Sequence, residues 1–119
     1  MNILWILSLT LGLSFPGLPA PPISPVETNK DYCELRGAVF VVEAEAAADY
    51  TVFVEEVEAF ANMLIFEEDS RGFADRPGLW WFTDNYALAD FRIFITDIQS
   101  FSDFSIYYTN FRSLAGCPQ

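Results

Sequence analysis

The sequence contains no histidine and a single lysine, Lys30. Without histidine, the chain lacks the most common general base, the most common metal ligand and the usual partner of a serine or cysteine nucleophile. Six basic side chains stand against 17 acidic ones, and the net charge of −11 would repel both nucleic acid and an anionic membrane surface. The two cysteines, Cys33 and Cys117, are too far apart for a Cys-x-x-Cys redox motif. These absences argue against most enzyme classes, and we expect no cofactor.

Hydrophobic residues are plentiful, by contrast. They make up 52% of the 119 residues and include 12 phenylalanines. This composition is too apolar for a disordered acidic tail, and the length suits one domain with one core. We therefore expect a single folded domain.

The amino-terminal residues have the features of a secretory signal peptide. No charged side chain precedes Glu27, and the apolar run Ile3–Phe15 is shorter than the roughly 20 residues of a membrane-spanning helix. We predict a signal peptide over residues 1–20 that is cleaved near Ala20, and a proline-containing leader over residues 21–32. An uncleaved hydrophobic anchor or a misassigned start codon is the alternative. Export would make the protein secreted or periplasmic.

The rest of the chain is an internal repeat of 13 residues. Six units align, with a two-residue insertion, Arg76-Pro77, between the third and the fourth. Units 1–6 are GAVFVVEAEAAAD (37–49), YTVFVEEVEAFAN (50–62), MLIFEEDSRGFAD (63–75), GLWWFTDNYALAD (78–90), FRIFITDIQSFSD (91–103) and FSIYYTNFRSLAG (104–116). A unit this small cannot bury its own apolar face, so the units must pack on one another.

The first part of each unit predicts a short strand. Its third and fourth positions hold β-branched and aromatic residues, a pattern typical of a strand that is covered on both faces. The third position holds Val39, Val52, Ile65, Trp80, Ile93 and Ile106, and the fourth holds Phe40, Phe53, Phe66, Trp81, Phe94 and Tyr107.

The second part of each unit predicts a short helical turn. The seventh position (Glu43, Glu56, Asp69, Asp84, Asp97, Asn110) is interpreted as a helix N-cap. The eleventh position (Ala47, Phe60, Phe73, Leu88, Phe101, Leu114) would supply one apolar contact per turn. The thirteenth position (Asp49, Asn62, Asp75, Asp90, Asp103, Gly116) holds residues that tolerate the left-handed backbone region and so reverse the chain.

We predict that the repeats close on themselves. Units 1 and 6 look like the middle units, whereas an open solenoid usually has atypical ends. Cys33 precedes unit 1 and Cys117 follows unit 6, and in an exported chain a disulfide between them is the most economical explanation. Two free thiols or an intermolecular bridge are the alternatives. The predicted fold is a β-rich α+β domain over residues 33–117, with six closed strand-and-turn repeats.

Five of the units carry a family resemblance. The segments VFVVEAEAAAD, VFVEEVEAFAN, IFEEDSRGFAD, IFITDIQSFSD and IYYTNFRSLAG join a hydrophobic-aromatic strand to an acid, a small residue and Ala-Asp. Over residues 37–116 this pattern resembles the septoil-knot domain, a small bacterial family of unknown function. The resemblance implies a chain knotted as a seven-crossing torus knot, which general rules would not suggest because folded chains are almost never knotted. It implies no catalytic residues.

Acidic residues are concentrated in units 1–3, which carry ten acidic side chains and one basic one, whereas residues 76–116 carry four and three. The densest cluster consists of Glu55, Glu56, Glu58, Glu67, Glu68 and Asp69. We treat this acidic cluster as a candidate surface for a basic protein or peptide or for a divalent cation. A solvated face that keeps the domain soluble is the simpler interpretation.

One aromatic residue is a second candidate contact. Trp80 and Trp81 occupy the strand positions that are core in the other units, so Phe82 is the aromatic side chain we expect to be exposed and able to contact a sugar or a peptide. Taken together, the sequence predicts an exported, disulfide-closed, non-enzymatic structural or binding module. The alternatives are a secreted hydrolase with two carboxylates converging in a pocket and a divalent-cation-binding domain that uses the acidic cluster.

Overall fold

The computed structural model describes residues 31–118. Each unit forms one β-strand followed by one three-residue 3-10 turn, and a further 3-10 turn, Asp31–Glu34, precedes the first strand. The strands are β1 Gly37–Val41, β2 Tyr50–Val54, β3 Met63–Glu67, β4 Leu79–Phe82, β5 Phe91–Ile95 and β6 Phe104–Tyr108. Turns 1–6 are Glu45–Ala47, Glu58–Phe60, Arg71–Phe73, Tyr86–Leu88, Gln99–Phe101 and Arg112–Leu114. The predicted signal peptide and the predicted leader up to residue 30 lie outside the described residues.

The six strands form a closed barrel in the order β1-β4-β3-β6-β2-β5, and every strand pair is parallel. Parallel neighbours need a connection that returns the chain outside the sheet. Here each 13-residue unit supplies both the strand and the return. The predicted closure and repeat architecture are confirmed.

The barrel interior is filled by the third position of each unit. All six of these side chains are fully buried, and burial of such a side chain stabilises a fold by about 1.5–3 kcal/mol. The fourth-position residues lie on the outer face and are half-buried. The prediction of strands covered on both faces is therefore confirmed.

The helical part of the prediction needs three corrections. The described residues contain only 3-10 turns, so the fold is a parallel β-barrel and not an α+β domain, and none of these turns could span a membrane. The residue before each turn is the eighth of its unit, not the seventh, and Asn85 is the one among them whose side chain caps its turn, accepting the Ala87 N–H at 2.9 Å. The eleventh-position residues are all exposed and do not supply the predicted apolar contact, because each ends a single 3-10 turn on the outside of the barrel and no longer helix follows to pack against it.

The chain moves round the barrel in one direction, and most connections pass over one intervening strand. The connection β1–β2 passes β5, β2–β3 passes β6, β4–β5 passes β1, and β5–β6 passes β2. The connection from β3 to β4 differs, because these strands are neighbours, and it contains the insertion Arg76-Pro77. Strands β3 and β4 also pair over two residues, whereas each other pair spans three.

The domain has two terminal segments, residues 31–36 before β1 and residues 115–118 after turn 6. Both are hydrogen-bonded to the barrel at the amino ends of β3 and β4. Leu64 exchanges two backbone hydrogen bonds with Gly116, of 2.7 and 2.9 Å. The Leu35 carbonyl accepts the Gly78 N–H at 3.0 Å and the Trp80 Nε1–H at 3.1 Å. Gly78 has φ +88°, and a Cβ there would lie 2.1 Å from the Gly116 backbone nitrogen. The terminal segments therefore fill an incomplete seventh place in the ring, between β3 and β4.

Candidate functional site

A disulfide joins the two terminal segments. Cys33 and Cys117 are bonded, with their Cα atoms 5.4 Å apart across a sequence separation of 84 residues, as the sequence predicted. A loop of this length is worth roughly 3–5 kcal/mol on the chain-entropy model. The Tyr32 ring, next to Cys33, stacks on the buried Phe104 ring with centroids 4.4 Å apart, so the bond is anchored to the core. Such a disulfide fits an oxidising compartment.

The thirteenth position of five of the six units has a role that the sequence did not predict. The Asp103 N–H donates to the Thr51 carbonyl at 2.6 Å, and the Asp103 carboxylate accepts the Thr51 N–H at 2.8 Å. The same two-point clamp joins Asp49 to Arg92, Asn62 to Ser105 and Asp90 to Ala38. In unit 6 the backbone carbonyl of Gly116 replaces the side chain and binds Leu64. The clamps satisfy strand-end backbone groups that would otherwise lack partners.

The restriction of this position to Asp, Asn and Gly was the available signal for the clamps. Turn formation explains those three residue types equally well, and only the strand order shows which backbone each side chain reaches. The exception is Asp75 of unit 3, where the insertion shifts the chain before β4. Asp75 instead lies 3.9 Å from the guanidinium of Arg112.

Arg112 ties turn 6 to unit 3. Its Nε donates to the carboxylate of Glu68, whose side chain is almost fully buried, and its Nη2 donates to the Phe73 carbonyl at 3.1 Å. The Arg112 carbonyl in turn accepts a hydrogen bond of 2.9 Å from Arg76 in the insertion. A buried carboxylate destabilises a fold unless a cation pairs with it, so the fold around Glu68 depends on Arg112.

The acidic cluster divides into two groups in the fold. Glu55, Glu56 and Glu58 follow β2, whereas Glu67, Glu68 and Asp69 lie at or after the end of β3, and β6 separates the two strands. Glu55 accepts a hydrogen bond of 3.1 Å from Gln99, and Glu68 is bound to Arg112. Residues 31–118 bring no three acidic or cysteine side chains together in a group that could hold a metal ion.

The charge imbalance between the two halves of the repeat does not produce an acidic face. Strands of units 1–3 alternate with strands of units 4–6 all the way round the barrel. Every ion pair among the described residues therefore joins one half to the other. These pairs are Arg71 with Asp90, Arg92 with Asp49, and Arg112 with both Glu68 and Asp75.

Phe82 is half-buried at the carboxyl end of β4, where it lies edge-on to the rings of Trp80 and Tyr108. It also lines a shallow cleft with Trp81 and Leu88, so part of its ring stays accessible. Tyr108 lies at the same end of the barrel. Burial raises the pKa of the Tyr108 phenol above its usual value of 10.0, and the negative charge of Glu67 raises it further.

One cleft contains three carboxylates, two of which were interpreted from the sequence as turn residues. Asp31, Asp49 and Asp103 line a cavity of about 370 Å³ together with Tyr32 and Tyr50. Asp49 and Asp103 each use one carboxylate oxygen in a clamp to a neighbouring strand. Two of the three acids in this cleft, Asp49 and Asp103, are therefore structural, and none of the three belongs to the acidic cluster.

Comparison with known proteins identifies the fold. The 7(1) septoil knot domain family matches residues 32–118, which covers the terminal segments as well as all six units. No curated protein and no solved structure matches the chain. The match extends over nearly the whole described region, so the chain belongs to the septoil knot domain family.

Proposed function

We propose that this protein is an exported, non-enzymatic module, secreted or periplasmic, whose closed chain path resists unfolding and proteolysis. The observation that carries the proposal is the closure at β4. Both terminal segments are hydrogen-bonded into the barrel there, and the Cys33–Cys117 disulfide joins them to each other. Terminal segments are the usual starting points of local unfolding and proteolysis, and here neither terminal segment is free.

The proposal includes a knotted path. From β1 to β6 the chain circles the barrel in one direction, and turn 6 continues the same way over β3. The disulfide then spans the remaining arc past β4 to β1. The closed path thus circles the barrel twice while it passes six strands and the incomplete seventh place, and a seven-crossing torus knot has this form. The family assignment supports the same threading.

The two alternatives receive less support from the geometry. A carboxylate hydrolase needs two acids with distinct environments in one pocket, whereas two of the three acids that share the cleft, Asp49 and Asp103, are occupied in clamps. A divalent-cation site needs several oxygen ligands from one place, whereas the acidic cluster is divided between β2 and β3.

Proteolysis tests the closure directly. The oxidised protein and a Cys33→Ser/Cys117→Ser variant are incubated with the same protease, and the loss of intact domain is followed over time. The expected result is a half-life at least about tenfold longer for the oxidised protein, because roughly 3–5 kcal/mol of stability is lost with the bond. Equal digestion rates would contradict the proposal.

A further inference from the structure

A groove runs between turn 2 and turn 6, beside the closure. Its volume is about 750 Å³, and its walls are formed by Ala59 and Ala61 on one side and by Leu114 and Ala115 on the other. The side chain of Leu64 lies against it, as does Cys117 of the disulfide. The lining is largely of small or apolar residues, and such a depression suits one or two apolar side chains of a ligand.

One large apolar side chain of the lining is partly open to solvent. Leu114 is 47% exposed, whereas Leu64 beneath it is buried. Leu114 therefore offers an apolar wall that an incoming apolar side chain can cover.

The rim of the groove carries uncompensated negative charge. Glu58 lines the groove, and its side chain has no ion-pair or hydrogen-bond partner within residues 31–118. Arg112, in turn 6, is bound to Glu68 and to the Phe73 carbonyl and so does not neutralise Glu58. A ligand with a cation beside an apolar group would therefore match both the apolar lining of the groove and the carboxylate on its rim.

The charge also decides against a second copy of the chain as the occupant. Each copy has a net charge of −11, and two copies would place their unpaired glutamates close together, which costs free energy. A partner with basic side chains gains from the same field. The choice between occupants thus rests on charge complementarity.

We propose that this groove binds an extended segment of a partner protein in which an apolar side chain stands next to lysine or arginine. The apolar side chain enters between turns 2 and 6, and the basic side chain pairs with Glu58. This interaction goes beyond the closure role, and peptide binding and protease resistance are measured separately, so either can fail without the other.

Three labelled peptides test the proposal by fluorescence anisotropy with the oxidised full chain. One alternates leucine and lysine, one alternates leucine and glutamate, and one alternates serine and lysine. We expect binding of the leucine-lysine peptide and at least about tenfold weaker binding of the other two, because each lacks one of the two complements. Equal binding of the serine-lysine peptide would mean non-specific attraction to an acidic protein and would overturn the proposal.

Matched variants locate the site. Glu58→Gln should weaken binding of the leucine-lysine peptide about tenfold, whereas Asp97→Asn, which removes the same charge from an exposed position elsewhere, should not. Leu114→Ser should weaken it similarly, whereas Phe101→Ser, at the equivalent exposed position of unit 5, should not. If both members of a pair have the same effect, the groove is not the site. Binding to neutral phosphatidylcholine vesicles but to none of the peptides, or a dimer that Leu114→Ser dissociates, would also overturn the proposal.

Discussion

The barrel is closed in two different ways. A seam is the boundary between two strands that are neighbours in the barrel. At four seams, an Asp or Asn that precedes one strand is hydrogen-bonded to the backbone of the neighbouring strand. These seams are β1–β5, β2–β5, β2–β6 and β3–β6. The two seams of β4 have no such side-chain clamp among the described residues. There the backbone of Leu35 and Gly116, from the two terminal segments, takes the corresponding place.

This difference shows that the same repeat can be closed by two kinds of contact. Where the repeat is regular, the thirteenth residue of a unit clamps the neighbouring strand. Where the insertion Arg76-Pro77 displaces Asp75, no side-chain clamp forms, and backbone hydrogen bonds from the two terminal segments replace it. The stability of the β4 region should therefore depend on the two terminal segments, whereas the stability of the clamped seams should depend on the clamp residues alone.

The largest effect is expected from Gly78→Ala at the β4 seam. A Cβ at Gly78 would lie 2.1 Å from the Gly116 nitrogen, and the φ of +88° is unfavourable for alanine. We expect a loss of about 3 kcal/mol or more in the free energy of unfolding, measured by denaturant titration. Gly72→Ala is the control, because a Cβ there has no neighbour within 4 Å. Equal stability of the two variants would mean that the terminal segments do not hold this seam.

The second effect concerns the ion pair between turn 6 and unit 3. Arg112→Ala leaves the buried Glu68 carboxylate without its cation, and we expect a loss of about 2–4 kcal/mol in the free energy of unfolding. Arg71→Ala removes a pair with Asp90 that is half-exposed on both sides, and it should cost at most about 1 kcal/mol. Equal losses in the two variants would show that unit 3 has no special dependence on turn 6.

The third effect tests a clamped seam. Asp103→Ala leaves the N–H of the buried Thr51 without an acceptor, which should cost about 1–3 kcal/mol. Asp103→Asn should retain most of the stability, because Asn62 makes the same clamp with its amide oxygen at 2.8 Å. Asp97→Ala, at an exposed position without a hydrogen-bond or ion-pair partner among residues 31–118, serves as the control. If Asp103→Asn is as unstable as Asp103→Ala, hydrogen bonding is not what the clamp contributes.

The smallest effect lies at the carboxyl end of β6. Because the pKa of Tyr108 is raised in the folded protein, the folded state keeps the phenolic proton above pH 10.0 while the unfolded chain loses it. Stability should therefore fall as the pH rises above this value. Ultraviolet titration should show that Glu67→Gln lowers the pKa of Tyr108 without restoring the usual value, since burial, the larger cause, remains. An unchanged titration in this variant would show that Glu67 does not act on Tyr108.

Several features of the fold follow from local sequence. The third position predicts a strand in every unit because its residues are β-branched or aromatic, and all six are buried in the barrel. The disulfide follows from two cysteines that bracket the repeats. The short turns misled the prediction, because alanine-rich residues after an acid are also typical of a helix start.

The candidate site was less accessible from sequence, for a topological reason. Glu55 and Glu68 are close in the chain, yet β6 separates their strands, and their partners Gln99 and Arg112 come from units 5 and 6. The clamps likewise join residues that are 43 or 52 positions apart in the chain, as Asp49 and Arg92 or Asp103 and Thr51 are. Periodicity indicates that the units pack together, but it does not indicate their order round the ring.

The central claim is that the two terminal segments, joined by the disulfide, close the barrel at β4. Amide hydrogen exchange of the oxidised and the reduced protein tests it most directly. Reduction should increase exchange at Leu64 and Gly78, which are hydrogen-bonded to Gly116 and Leu35, while Thr51 and Arg92 in the clamped seams keep their protection. An equal loss of protection at all four amides, or no loss at any of them, would contradict the claim.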